Sequence, residues 1–273
     1  MFRRLDASQI RQTALRPVSV GLIASSPEAY REMEDFLAPA SSPDQDRARA
    51  LGALCPVEDS GRGCDFILSD AGSPLPANGY LFEPDAADSL VDSVLAQNAD
   101  IELALAHTFP PFRTAVAGRL IHRVARENAL FSMMTALPNI IPSFIELPWA
   151  IGEFASDTAF LTMNQVRLAF LLSAAHGHPA GYDDLRFEIA AIVAGAFGWR
   201  AIARELAGKI PLGGGLIPTA AVSYAATWVV GLGVDKSRRT GSPLTRAERE
   251  AAFGYALSKG REVAGGLDFP RAD

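Results

Sequence analysis

Cysteine is scarce in this chain of 273 residues, which holds only Cys55 and Cys64. Eight residues separate them and no Cys-x-x-Cys occurs, so neither a disulfide framework nor a zinc knuckle is predicted, and a reducing cytoplasm is the simpler setting.

No basic run is longer than Arg238-Arg239 and the net charge is −6, which argues against a phosphate-tracking surface for nucleic acid. No apolar run follows the arginines near the N-terminus, so no secretory signal is predicted.

Charge is scarce in the second half of the chain. Residues 131–234 hold 12 charged residues in 104, whereas residues 1–130 hold 30 in 130. The 25 residues from Ile210 to Val234 carry none, and so long an apolar run is buried either in protein or in a bilayer. We predict a mainly α protein: a small degenerate α/β domain over 1–112, an all-α domain over 113–265 with its apolar core stretch at 210–234, and a tail over 266–273.

After a short helix predicted over residues 6–15, the first domain continues with a strand, a tight loop and a second helix. Residues 18–23 are predicted as a strand, and Ser25 is predicted to cap a helix through Leu37, with Pro27 in its first turn and Glu28 completing a capping box. The polar residues 39–49 are predicted to form a loop. Two further short strands are predicted at 65–70 and 79–82. Three short strands and a helix indicate a small α/β layer.

A phosphate-binding loop would lie after the first strand. Such a loop needs several glycines, a lysine for the β- and γ-phosphates and a Ser or Thr for Mg²⁺. This chain has one glycine there, no lysine, and a carboxylate at Glu28. The weak candidates for a nucleotide site are Gly21, Ser25, Ser26 and Asp70, the last in an Asp-Ala-Gly turn that is common in loops. No cofactor, no metal and no catalytic residue is predicted.

The helical half carries a polar stripe. Helices are predicted over 113–137, with Glu127 on the polar side, and over 149–175. On the latter, Glu153, Asp157, Asn164 and Arg167 fall within about 80° of one another. They form either a binding site in an apolar bundle or a solvated face with ordinary ion pairs. Their candidate partners lie on the next helix: Glu188, Arg200, Arg204, Glu205 and Lys209.

Glycines and caps divide the remaining sequence. His176-Gly177-His178 is predicted to be a turn rather than a metal site. Residues Gly231 to Ser237 have the wrong spacing for a phosphate loop and are predicted as a helix C-cap. Small residues recur four apart at Ala191 and Gly195, a spacing that lets helices approach closely. Thr245 and Glu248 form a capping box for a last helix, predicted to lie against the bundle.

Several short motifs carry a resemblance to a known domain. They are the run from Leu120-Ile121 through Glu127-Asn128-Ala129, then Leu137-Pro138-Asn139-Ile140-Ile141-Pro142, Thr162-Met163-Asn164-Gln165, Phe197-Gly198-Trp199-Arg200, Lys209-Ile210-Pro211, and residues 223–231. Residues 113–234 resemble an uncharacterised bacterial helical domain that is found C-terminal to small GTPase domains and is often described as membrane-associated. The resemblance implies a GTPase-like first domain, but the P-loop lysine and the base-reading Asn-Lys-x-Asp are missing. It supplies no catalytic residue.

Three hypotheses on function follow. The first is a non-catalytic interaction or scaffold protein whose helical domain touches the cytoplasmic face of the inner membrane or inserts a hairpin into it. The second is a soluble enzyme or nucleotide-binding switch in the cytoplasm, for which no nucleophile and base pair is recognisable. The third is a soluble helical oligomer without a membrane. A protein partner, a second copy of the chain or a membrane surface is the expected partner, and nucleic acid is not.

Overall fold

The computed structural model describes residues 7–55, 63–135, 157–195 and 216–266. They form a mainly helical protein with one small parallel sheet. The predicted fold class, mainly α with a small α/β part, is thereby confirmed. The chain divides into two compact units. The α/β unit comprises Asp6–Gly118 and Ser173–Ala180, and the helical unit comprises Arg119–Leu172 and Gly181–Asp273.

The α/β unit alternates helices and short strands. Its elements in chain order are α1 (Ala7–Ala14), β1 (Val20–Ile23), α2 (Pro27–Leu37), α3 (Asp44–Gly52), β2 (Leu54–Cys55), β3 (Phe66–Ser69), β4 (Gly79–Leu81), α4 (Ala87–Gln97), α5 (Glu102–Thr108) and the first residues of α6 (Arg113–Thr135).

All strand pairs of the sheet are parallel and its order is β2-β1-β3-β4. The central strands β1 and β3 align Val20 with Phe66 and Ile23 with Ser69. Every residue of β3 is buried, as expected where helices cover both faces of a parallel sheet. The three predicted strands are confirmed. The edge strand β2 escaped prediction because two residues are too short to show a periodicity.

Two predictions on the first helices are wrong. Ser26, not Ser25, is the N-cap of α2 and its side chain accepts a hydrogen bond from the backbone N–H of Ala29, because the Ser25 hydroxyl is engaged elsewhere. The predicted loop at 39–49 contains the start of α3. That helix has little apolar periodicity, but Asp44 and Asp46 lie in its first turn, where carboxylates favour a helix.

The helical unit contains the rest of α6, most of α7 (Asp157–Ala175), α8 (described over 186–195), α9 (Leu216–Thr240) and α10 (Arg246–Gly265). The capping box of Thr245 and Glu248 is present at the start of α10, as predicted. The predicted C-cap at Gly231 is wrong, because α9 continues through it to Thr240. A Cβ atom at Gly231 would lie 2.6 Å from Ile121 Cγ1, so this glycine serves close packing inside the helix.

Helix α10 packs against α9 along a narrow face. Ala256, Gly260 and Ala264 recur every four residues and are buried. A Cβ atom at Gly260 would lie 2.8 Å from the Cα of Ala221, so the two backbones touch there. A small cluster of buried residues around Ala225 and Tyr224 joins α6, α9 and α10. The predicted docking of the last helix on the bundle is thereby confirmed.

The two cysteines form a disulfide, with their Cα atoms 6.9 Å apart. The sequence analysis predicted no disulfide, and the structure corrects this expectation. Cys55 ends the edge strand β2 and Cys64 lies two residues before β3, so the bond closes the connection between two strands that flank β1. A spacing of eight intervening residues has no signature in sequence, and the pairing follows from the strand order.

Candidate functional site

The sheet order reverses between β1 and β3. In open parallel sheets, ligands bind at the carboxyl ends of the strands, in the crevice where the order reverses. Here that position is formed by the residues after Ile23 and after Ser69. The structure therefore brings together three of the weak sequence candidates, Ser25, Ser26 and Asp70, at the position where a ligand of such a sheet is expected. The fourth, Gly21, lies inside β1, paired with Cys55 and Ile67.

Ser25 and Asp70 are joined by two hydrogen bonds, which we call the Ser25–Asp70 latch. The backbone N–H of Ser25 donates to Asp70 Oδ1 over 3.0 Å, and the Ser25 hydroxyl donates to Asp70 Oδ2. The hydroxyls of Ser25 and Ser73 lower the pKa of Asp70, because both donate to its carboxylate. At neutral pH the latch is therefore a charged carboxylate held by hydrogen-bond donors.

Gly72 is required for the latch. A Cβ atom at this position would lie 2.6 Å from Ser25 Oγ and 3.3 Å from Asp70 Oδ2. A side chain at residue 72 would therefore displace the two groups. The Asp-Ala-Gly sequence acts here as a close-approach turn against Ser25.

A groove of about 650 Å³ adjoins the latch. It is lined by residues 22–27 and by Tyr30 and Arg31 of α2. Arg31 is exposed and is the one cation among the lining residues that the structure describes. The backbone N–H of Ser25, which in a phosphate site would point at the ligand, is already occupied by Asp70. The N–H group that would bind an anion is therefore already hydrogen-bonded to the carboxylate of Asp70.

The second group of sequence candidates belongs to the helical unit. Arg167 Nη1 donates to Glu127 Oε2 over 2.9 Å and to Asn164 Oδ1 over 2.8 Å, and Asn164 Nδ2 donates to Glu127 Oε2 over 3.2 Å. The partner of the stripe is thus on α6: Glu127, which the sequence places on the polar side of that helix, is partly buried in its ion pair with Arg167. Glu153 lies outside the described residues, and Asp157 is described only as the first residue of α7.

The predicted partners of the stripe on the following helix are not confirmed. Glu188 pairs instead with Arg238 of α9. The other four, Arg200, Arg204, Glu205 and Lys209, lie outside the described residues.

A buried polar network extends from Asn164 to α9. Asn164 Nδ2 donates to Asn128 Oδ1 over 2.8 Å, and Asn128 Nδ2 donates to Thr227 Oγ1 over 2.7 Å. Gln165 also donates to Thr227 Oγ1, and the Thr227 hydroxyl donates to the carbonyl of Ser223. The hydroxyls of Ser132 and Ser223 lie 2.5 Å apart. Because these groups satisfy one another, the network fixes the register of α6, α7 and α9 rather than offering free donors to a ligand.

Sequence analysis missed most of this network, although a signal was present. Asn128 and Ser132 are four residues apart on α6, and Ser223 and Thr227 are four apart on α9. Residues at this spacing share one face of a helix. Polar pairs of this kind on two otherwise apolar helices predict that the helices face each other.

Tyr224 belongs to an aromatic cluster beside the network. Its ring stacks on Trp228 at 5.6 Å between centroids, and its hydroxyl lies 2.8 Å from His122 Nδ1. Burial, followed by the charges of Tyr255 and Glu262, raises the pKa of Tyr224 to about 12. The tyrosine therefore stays protonated, and its hydroxyl shares a hydrogen bond with His122 Nδ1 inside the aromatic cluster.

The α/β unit holds a charged cluster that sequence analysis also missed. Asp46, 8% exposed, accepts hydrogen bonds from Arg49 over 3.0 Å and from Arg113 over 2.7 Å. Arg49 also donates to the carbonyl of His107, whose Nδ1 donates to the carbonyl of Ala174. Burial lowers the pKa of His107, which therefore stays neutral near pH 7.

The segment 176–178 forms the turn that the sequence predicts. Gly177 adopts a φ of +76°, and a Cβ atom there would lie 2.7 Å from Arg49 Nη1. His176 is buried. In the described parts of the chain, no group of three or more His, Cys, Asp or Glu side chains could hold a metal ion.

Comparison with known proteins adds no assignment to these sites. No family model matches the chain, and neither a curated protein nor a solved structure does.

Proposed function

We propose that the chain is a non-catalytic interaction protein. The observation that carries this proposal is the Ser25–Asp70 latch: the N–H group best placed to receive a phosphate already binds a carboxylate of the chain. A phosphate would approach that carboxylate with the same sign of charge, and the cation among the described residues that line the groove, Arg31, is exposed to solvent. Repulsion between the Asp70 carboxylate and a phosphate group therefore favours exclusion of a nucleotide.

The proposal retains the resemblance to a degenerate GTPase-like domain. It is supported by the parallel sheet and by the succession of strand, short loop and helix over residues 20–37. In this proposal the α/β unit keeps the framework of a nucleotide-binding domain and uses its surface for protein contacts.

Titration with a fluorescent analogue of GTP or ATP in the presence of Mg²⁺ tests the proposal. We expect no saturable signal at millimolar nucleotide from the wild-type chain. The variant Asp70→Asn, which removes the charge and keeps the shape, separates the causes: binding that appears only in this variant identifies the latch carboxylate as the barrier. Saturable Mg²⁺-dependent binding by the wild-type chain would contradict the exclusion of nucleotide by the latch and favour the nucleotide switch.

Membrane association through α9 is a second candidate. It is favoured by one observation, the 24-residue stretch Ile217–Thr240 with a mean hydropathy of 1.4 in its apolar window. Against a membrane span stands the burial of 61% of that window inside the protein, together with the hydrogen bonds of Thr227. A mostly buried apolar helix is also what the core of a helical bundle contains. We therefore propose that α9 is a core helix and that any membrane contact is peripheral.

Fractionation of the expressed chain distinguishes the two candidates. We expect recovery in the soluble pool, or release from the membrane pellet by high salt or carbonate. Retention after the carbonate wash would contradict the assignment of α9 as a core helix. Light scattering on the soluble pool then separates a monomer that binds other proteins from a homo-oligomer.

A further inference from the structure

A second groove, of about 490 Å³, lies in the helical unit between α8 and the C-terminal half of α9, and we call it the α8–α9 groove. The connection between α9 and α10 closes one side of it. Its walls are apolar, formed chiefly by Ile192, Val229, Val230, Val234 and Leu244. Its volume falls within the range of small-molecule sites, which are mostly apolar with a few polar groups.

Small residues create the space in this groove. Ala191 and Gly195 of α8 line it together with Gly233 of α9. A Cβ atom at Gly233 would meet one side-chain atom, Leu244 Cδ1, at 3.7 Å, an ordinary van der Waals contact. Phe187 lines the groove as well and is 74% exposed, so apolar surface reaches the solvent at its edge.

One uncompensated charge lines the α8–α9 groove. Of the charged residues of the described chain that line it, Glu188 is paired with Arg238, whereas the exposed Arg249 has no ion pair. Ser237 adds a hydroxyl nearby. An apolar trough with a single cation at its side is complementary to a molecule that has an apolar body and one negative charge.

We propose that the α8–α9 groove binds a single-chain amphiphile with one anionic headgroup. The alkyl chain lies along the valine and isoleucine walls, and the headgroup pairs with Arg249. A free fatty acid and a chain of an anionic membrane lipid share this chemistry. The inference does not depend on the Ser25–Asp70 latch, which belongs to the other unit.

Calorimetric titration of the full chain with dodecanoate, below its micellar concentration, tests the proposal. We expect saturable binding with one site per chain. Decanoate should bind more weakly by about fourfold for each methylene removed, because each buried methylene contributes about the same transfer free energy. Absence of saturable binding would overturn the proposal.

Two substitutions test the role of the cation. Arg249→Gln should weaken dodecanoate binding about tenfold, in the range of one charge-assisted hydrogen bond, and leave the binding of uncharged dodecanol unchanged. The control is Arg246→Gln on the same helix, because Arg246 pairs with Glu250 and does not line the groove. An equal effect of the two substitutions would refute a specific headgroup site.

A third substitution tests the location. Gly233→Leu places a larger side chain in the groove, where its Cβ atom makes an ordinary van der Waals contact of 3.7 Å with Leu244 Cδ1, and it should abolish binding. Gly254→Leu, at an exposed position of α10 with no atom near its Cβ, is the matched control and should bind as the wild type does. Circular dichroism checks that both are folded. Undiminished binding by Gly233→Leu would place the amphiphile elsewhere and overturn the proposal.

Flotation with phosphatidylglycerol vesicles separates the two sources of the ligand. Binding to vesicles that Gly233→Leu abolishes identifies a membrane lipid as the source. Binding of dodecanoate without vesicle binding identifies a free amphiphile. Both outcomes support the groove as the site, whereas vesicle binding that Gly233→Leu leaves intact would show that the groove is not the lipid contact.

Discussion

At the scale of single residues, Asp46 holds two arginines inside the α/β unit. The side chains of Asp46, Arg49 and Arg113 are 12%, 22% and 14% exposed. Ion pairs at this depth are costly to break from one side, because the remaining charge loses its partner where water cannot replace it. Removing one member of the cluster therefore destabilises the protein more than the intact ion pairs stabilise it.

The substitution Asp46→Asn should lower the free energy of unfolding by about 3 kcal/mol at pH 7, because it leaves two arginines unpaired. Burial opposes ionisation of Asp46, but the hydrogen bonds and charges of Arg113 and Arg49 together outweigh it, so its pKa lies below the ordinary value of 3.8. The stability that its charge adds is present above that pH and is lost as the pH falls through the lowered pKa. Urea unfolding at pH 7 and pH 3 measures both effects.

The control for Asp46 is Asp100→Asn. Asp100 pairs with Arg16, and both side chains are exposed, so this change should cost less than about 1 kcal/mol. The difference between wild type and Asp46→Asn should shrink as the pH falls below 3.8, because the unfolded chain then takes up a proton that the lowered pKa of the folded Asp46 resists. A difference that stays constant with pH would show that charge is not the cause.

Substitutions at Gly177 and Gly241 separate two energetic costs of a Cβ atom: backbone strain at a positive φ and steric contact with a neighbour. Both have a positive φ, of +76° and +70°, but only Gly177 has a close neighbour, Arg49 Nη1, at the Cβ position. Gly241→Ala should therefore cost about 1 to 2 kcal/mol for the left-handed backbone alone. Gly177→Ala should cost more, because it also displaces the Asp46 cluster. Thermal unfolding of the two variants gives the difference, and equal costs would contradict the close approach.

At the scale of elements, the buried polar network decides how α6, α7 and α9 face one another. Apolar helices can slide or rotate against each other with little change in buried area. A chain of hydrogen bonds from Asn164 through Asn128 to Thr227 is formed only in one register, since any shift leaves buried donors unpaired. The network therefore provides specificity where the apolar contacts provide most of the driving force.

Thr227→Val should destabilise the protein by about 1 to 3 kcal/mol, although it keeps the size and shape of the side chain. The valine leaves the amides of Asn128 and Gln165 without their acceptor in a buried place. Thr240→Val is the control on the same helix, because its hydroxyl bonds the carbonyl of Lys236 at an exposed position. Chemical unfolding compares them, and an equal loss in both would argue against the network.

Sequence predicts the elements well where the signal is local. The capping box of Thr245 and Glu248, the strands at β1 and β3, and the turn at Gly177 each depend on residues a few positions apart. Ser25 was misassigned as a cap because its partner, Asp70, lies 45 residues further along the chain. The partner of Arg167 was missed for the same reason, since Glu127 lies 40 residues before it.

The candidate site follows the same rule. Ser25, Ser26 and Asp70 could be selected from sequence because ligands of parallel sheets bind after the strands. The sequence could not show that Asp70 accepts the hydrogen bond of the Ser25 backbone N–H, because this contact depends on the close approach of Gly72. The start of α3 was missed because Asp46, buried through its pairing with arginines, reads as a solvated loop residue in sequence.

At the scale of the whole molecule, the Cys55–Cys64 disulfide relates stability to compartment. It closes a short loop between an edge strand and the centre of the sheet. Cross-linking two residues lowers the conformational entropy of the unfolded chain, and the effect depends on the length of the loop. The same chain is therefore expected to be more stable in an oxidising than in a reducing environment.

Reduction with dithiothreitol should lower the free energy of unfolding of the α/β unit by about 2 to 3 kcal/mol, the loop-entropy value for about ten residues. The double substitution of Cys55→Ser and Cys64→Ser should give the same loss and should no longer respond to the reductant. Mass spectrometry of the purified protein under non-reducing conditions shows whether the bond is present. A reductant effect that persists in the double variant would exclude the disulfide as its origin.

The α/β unit is discontinuous in sequence, since it needs Ser173–Ala180 as well as Asp6–Gly118. During synthesis the arginines at 49 and 113 therefore emerge long before Gly177, which packs against them. At about 5 to 20 residues per second, the ribosome needs roughly 3 to 12 s to make the intervening stretch. The α/β unit therefore stays incomplete while Arg119–Leu172, the smaller segment of the helical unit, is made. We expect a chaperone to bind the nascent chain during this interval.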